Sequence, residues 1–230
     1  MSAQMDRFFR SVIGRVEWSF PLTEIELDTE IARPRSFLKI LDANHYNWRA
    51  ERFRKLFGMR AQAEVPLLDQ LNFIFYPESV YDTPIFLCFA LLTKHKLIAH
   101  LNVYCPFDDE VYLARHVDPL TGHLQRYPPF EYNRRYPEWM QKYRHPCAIY
   151  GMFSRDRIED FSDCAHDYLG HYLGVARDAQ PVEDAEKLAT IADFHAQFVR
   201  DVRTKDKAQD MLAKMIGKEP ARRIFYEITT

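Results

Sequence analysis

Seven glycines in 230 residues leave little room for the loops that cradle phosphates, and neither G-x-G-x-x-G nor G-x-x-x-x-G-K-[ST] occurs. A tightly held dinucleotide or triphosphate therefore has no recognisable seat. H-E-x-x-H and G-x-S-x-G are missing as well, which removes the common zinc-peptidase and serine-hydrolase signatures. Cysteine is scarce: Cys88, Cys105, Cys147 and Cys164 stand apart, with no C-x-x-C pair to hold zinc or an iron–sulfur cluster. They read as the reduced thiols of a cytoplasmic protein. Neither charge dominates: 31 basic against 33 acidic residues leave a net charge of −2, so no basic excess points to nucleic acid. The opening stretch MSAQMDRFFRSVIGRVEW carries Asp6 and Glu17 and has no apolar run long enough for a membrane span, nor the form of a signal peptide. If such a chain does redox chemistry, its electrons are expected from another protein.

What the chain has in quantity is aromatic side chains, 17 Phe and 13 Tyr among them. They suit either a large aromatic core or a surface that surrounds something flat and apolar. Phe8, Phe9, Val12, Ile13 and Val16 recur at helical spacing, so the first segment is expected to be an amphipathic helix. The runs Leu71–Tyr76, Ile85–Leu92, Leu97–Tyr104 and Cys147–Phe153 are short, apolar and separated by turn-like pieces. They read as strands, antiparallel because the links are short, and covered on both faces because apolarity is continuous. Residues 106–137 are rich in proline and read as loop. From Ile158 onward the spacing is helical, with a break at Lys205–Asp206 and Gly217 as a C-cap. A helix, then strands, then several helices reads as helices packed on a mostly antiparallel sheet, in one domain over 1–230.

Two clusters invite a functional reading. His166 and His171 are five residues apart, about 140° around a helix, so they cannot share a metal from one face; no metal site is expected. Arg134, Arg135, Lys142 and Arg144 interleave with Tyr132, Tyr136, Trp139 and Tyr143. They form either a solvated face or a landing site for an acidic partner or for substrate carboxylates.

The stretch FRKLFGMRAQAEVPLLDQLNFIFYPESVYDTPIFLCFALL resembles the heart of the ferredoxin-dependent bilin reductases. The Arg54-Lys55 pair opens a strand, a second apolar strand ends at Pro77, and the turn Asp82-Thr83-Pro84 leads into a third. TKDKAQDMLAKMIGKEPARRIFYEI is similar to that family's closing segment. The resemblance implies a three-layer α/β/α sandwich with a linear tetrapyrrole between the sheet and the C-terminal helices. It further implies a cytoplasmic monomer with no bound cofactor, which takes single electrons from reduced ferredoxin and passes protons to a bilin through radical intermediates.

Carried over residue by residue, the resemblance assigns Asn72, five residues before Pro77, as the orienting group, and Asp206 as the catalytic proton donor. The third-strand position, usually Asp, is Phe89 here, and no acidic residue lies between Asp82 and Asp108 to replace it. Met59, Arg60, Phe89 and Lys207 are the implied substrate contacts, and Arg134, Arg135, Lys142 and Arg144 the implied ferredoxin contacts. A carboxyl is needed because each electron must be matched by a proton, and burial lifts a carboxyl pKa towards neutrality. Asp206 reads equally as a helix N-cap. Two alternatives stay open: a bilin carrier without turnover, and a reductase of another linear tetrapyrrole such as a chlorophyll catabolite.

Overall fold

The computed structural model describes residues 3–34, 41–64, 67–130 and 136–230. Its centre is a seven-stranded antiparallel sheet whose spatial order follows the chain, β1 to β7. The strands are β1 (Thr23–Glu24), β2 (Leu41–Ala50), β3 (Phe53–Glu64), β4 (Leu67–Pro77), β5 (Ile85–Thr93), β6 (Lys96–Tyr104) and β7 (Ile149–Ser154). The helices are α1 (Ala3–Ser19), α2 (Thr29–Ala32), α3 (Glu110–His116), α4 (Asp118–Leu124), α5 (Ile158–Asp178), α6 (Ala185–Lys205), α7 (Ala208–Ile216) and α8 (Lys218–Arg223), followed by a π-helical turn, Ile224–Thr229.

Side chains alternate across a strand, so each face of the sheet builds its own core. Leu71, Phe73 and Phe75 of β4 and Phe86, Cys88 and Ala90 of β5 pack with α1 and α5. Ile74, Tyr76, Ile85 and Tyr104 pack instead with Phe198 and Val202 of α6, Ile216 of α7 and the chain's final turns. The result is the expected three-layer α/β/α sandwich. The amphipathic first helix is there too, burying Met5, Phe8, Val12 and Val16. At Gly217 the backbone turns to φ 97°, which glycine adopts without a Cβ clash, and the chain leaves α7 for α8 there.

Strand β2 was not evident in the sequence, because Asn44, His45, Asn47 and Arg49 interrupt its apolar pattern. Strand β1 is a two-residue addition at that edge. Within the proline-rich 106–137 region, Asp109 and Pro119 start short helices rather than loop: the Asp109 carboxylate accepts the Tyr112 N–H at 3.0 Å, and Pro119 sits in the first turn of α4. His166 and His171 are held separately, by Ser11 Oγ at 2.6 Å and by the Arg115 carbonyl at 3.2 Å.

Candidate functional site

The register places six residues of six strands in one row. His45 on β2 faces Met59 on β3, Met59 faces Asn72 on β4, Asn72 faces Phe89 on β5, Phe89 faces His100 on β6, and His100 faces Tyr150 on β7. Directly paired residues project from the same face, here the one carrying the C-terminal helices. One residue further along, the row through Phe73, Cys88, Leu101 and Ile149 projects to the other face and is sealed, each at 0–1% exposure.

The two faces differ in how far they are covered. Beneath α6–α8, Ile74, Tyr76 and Tyr104 are fully buried. Towards the other end of the same face, Met59, Asn72, Phe89, Leu91, Ile98 and Tyr150 are only half-buried. This is an apolar shelf left open beside a closed core, the form a flat ligand needs.

Asn72 is the polar exception within it. Its Oδ1 is buried and has no hydrogen-bond partner, a state that costs about 1–3 kcal/mol until a donor arrives. The N–H groups of a linear tetrapyrrole are donors of that kind.

Asp206 lies in the link between α6 and α7 and is half-buried. Its carboxylate accepts the Ala208 N–H at 2.8 Å, so the capping interaction is present. Burial nevertheless raises its pKa, against that hydrogen bond. Tyr104, which projects from the same face as Asn72, feels the Asp206 charge, although burial is the larger cause of its raised pKa. Lys207, next along, is exposed.

Arg60 does not join the group. As the strand neighbour of Met59 it projects to the opposite face, where it forms ion pairs with Asp6 of α1, at 2.9 Å, and with Asp69 of β4. Two consecutive strand residues cannot both line one face, and the sequence reading that paired Met59 with Arg60 overlooked this.

Of the basic cluster, Arg134 and Arg135 lie outside the described residues. Lys142 is half-exposed and shares buried Asp201 with Lys205, each at 2.7 Å. Burial pushes the Asp201 carboxyl up, but hydrogen bonds from Lys142, Lys205 and Tyr143 outweigh it and hold the group below the ordinary carboxylate range. Arg144 is exposed, 5.9 Å from the Tyr136 ring centre.

Sequence reasoning missed the histidines of this face. The His45 Nδ1–H donates to the Ala32 carbonyl, 3.3 Å away, and burial lowers its pKa to about 4. His100 is buried with Nε2 3.1 Å from the Tyr136 hydroxyl and 3.3 Å from that of Tyr104. Its place inside the apolar run LIAHLNVY was the available signal, since a histidine embedded in a buried strand needs partners.

Among the described residues no cluster of side chains is suited to a metal, and no helix is long and apolar enough to cross a membrane.

Known proteins resemble this chain in sequence and in fold. A phycoerythrobilin:ferredoxin oxidoreductase of Nostoc punctiforme is 25% identical over 159 residues, 66% of this chain and 61% of that protein. A 15,16-dihydrobiliverdin:ferredoxin oxidoreductase of Gloeobacter violaceus is 26% identical over 164 residues, 68% of this chain and 65% of that protein. The matched regions thus span less than two thirds of these relatives' length. Phytochromobilin synthase from tomato, solved in complex with biliverdin, shares the fold with a TM-score of 0.84 at 18% identity, over 96% of this chain and 80% of that one. Residues 10–228 match the ferredoxin-dependent bilin reductase family, and the chain belongs to it.

Proposed function

We propose that the protein reduces an open-chain tetrapyrrole, biliverdin IXα or a dihydrobiliverdin, to a phytobilin with electrons from reduced ferredoxin. The observation that carries this reading is the half-open apolar shelf on one sheet face, with the unpartnered Asn72 oxygen inside it and the Asp206 link on the same side. A bilin laid on that shelf stacks its conjugated plane on Phe89 and Met59 and gives a ring N–H to Asn72.

Asp206 then supplies the proton. Its raised pKa keeps a larger fraction of the carboxyl protonated than an exposed aspartate would hold, and each electron arriving on the bilin makes it a stronger base. Phe89 in the third-strand position leaves Asp206 as the carboxyl donor of the proposed site, so reduction proceeds through a substrate radical that waits on a single acid. In this reading the exposed Lys207 neutralises a substrate propionate. Arg144 and Lys142 belong to the docking face for the acidic donor protein, and the sequence neighbours Arg134 and Arg135 add basic charge to that segment. The protein works as a cytoplasmic monomer with no resident cofactor.

Titration with biliverdin tests the binding half of this proposal. Saturation of the visible spectral change near one equivalent is expected, and no saturable change would remove the tetrapyrrole reading.

A further inference from the structure

His100 has a feature that its packing does not explain. Both of its hydrogen-bonding contacts, to Tyr136 and Tyr104, are made to the same ring nitrogen, Nε2. Nδ1 has no hydrogen-bond partner among the described residues, and the residue keeps 6% of its surface exposed. A ring nitrogen carries either one lone pair or one hydrogen. With two hydroxyls converging on Nε2, the arrangement that satisfies a phenol proton has Nε2 accepting, which puts the ring hydrogen on Nδ1. Burial holds the ring neutral, with its pKa lowered to about 3.

The position of the ring says what Nδ1–H can meet. His100 stands directly opposite Phe89, in the row that holds Asn72 two strands away. Two strand steps are about 10 Å, which separates the two polar groups by an apolar platform. Asn72 offers an acceptor and His100 a donor. An open-chain tetrapyrrole carries N–H donors along its length and a lactam carbonyl at each end.

We infer that His100 is a substrate-contacting residue whose Nδ1–H donates a hydrogen bond to a lactam carbonyl oxygen of the bilin, with Tyr136 and Tyr104 fixing its tautomer. This rests on the bilin reading above. It makes the Phe89 end of the shelf polar through a neutral donor, where a carboxyl on β5 is absent.

The experiment has two arms, chosen so that the two readings fail separately. In the first, nitrogen NMR of the protein labelled with ¹⁵N-histidine reads the tautomer without any bilin. A neutral His100 protonated at Nδ1 is expected, and protonation at Nε2 would overturn the inference. In the second, biliverdin is titrated into the wild type, His100→Leu and His100→Asn, and the lactam carbonyl stretch of the bound pigment is recorded. His100→Leu should bind about ten-fold more weakly and move that band to higher frequency. His100→Asn, which keeps an N–H near the Nδ1 position, should restore both, and it serves as the control should the leucine variant fold poorly. Unchanged affinity and band position in His100→Leu would overturn the inference while leaving the bilin reading intact. Failure of the wild type to bind biliverdin would overturn both.

Discussion

Asn72 on β4 and Phe89 on β5 stand directly opposite each other, projecting from the same face of the sheet. A carboxyl placed at 89 would therefore sit beside the Asn72 amide, about 5 Å away between Cβ atoms. Phe89→Asp is expected to add a second proton donor with a raised pKa and to change which product accumulates. Chromatography of the products checks this. Because Phe89 is half-buried, the exchange should cost about 1–3 kcal/mol of stability, read from denaturant melting.

Asp206→Asn separates the proton from the cap. The asparagine oxygen can still accept the Ala208 N–H, so helix α7 should keep its start and the melting temperature should move little. The acid is lost, and turnover should fall by about 10²–10⁴, some 3–5 kcal/mol of barrier. A bilin radical that outlives the wild-type intermediate should appear by electron paramagnetic resonance. Near-normal turnover would leave Asp206 as a cap alone.

The apolar runs exposed four strands to sequence reasoning, and the spacing of Asn72 and Phe89 about Pro77 and Asp82 translated directly into a shared row. What stayed hidden depended on contacts made at long range. The Arg60 side chain is explained by Asp6, 54 residues away, and by its place one step from Met59 on a pleated strand. The partners of His100 lie 36 residues along, at Tyr136, and four along, at Tyr104. Strand β2 needs its neighbours to be recognisable, because half its residues are polar. Asp201, read only as part of a helix, proves to be the buried counter-charge of two lysines from different elements.

Acid should destabilise the fold before the carboxylates titrate. Burial lowers the pKa of His45 and His195 to about 4, and of His100 and His116 to about 3, from an ordinary 6.5. Between those values the unfolded chain binds protons that the folded chain refuses, so stability is lost as pH falls below about 6.5. The slope approaches about 1.4 kcal/mol per pH unit for each histidine that responds fully. Asp206, raised in the fold, opposes this with one group of the other sign. Denaturant midpoints measured from pH 7 to pH 5 should therefore decline. His195, whose two ring nitrogens are buried without partners, is the sharpest probe. His195→Leu should flatten that decline and raise stability at pH 7 by about 1 kcal/mol.

Docking of an acidic electron donor on the Lys142–Arg144 side should be sensitive to salt. Raising ionic strength from about 0.01 to 0.15 M shortens the screening length from about 30 to 8 Å. The apparent KM for reduced ferredoxin should rise several-fold over that range, with kcat nearly unchanged. Arg144→Glu should give a similar rise at low salt. A KM indifferent to both would move the docking face elsewhere.

The most direct test of the proposed reaction is an anaerobic single turnover with one equivalent of biliverdin and reduced ferredoxin, followed by absorption and chromatography. The expected result is loss of the bound biliverdin spectrum and appearance of a reduced bilin, with no reaction when NADPH alone replaces the ferredoxin system. Bound biliverdin that remains unchanged under reduced ferredoxin would contradict it and leave a pigment carrier.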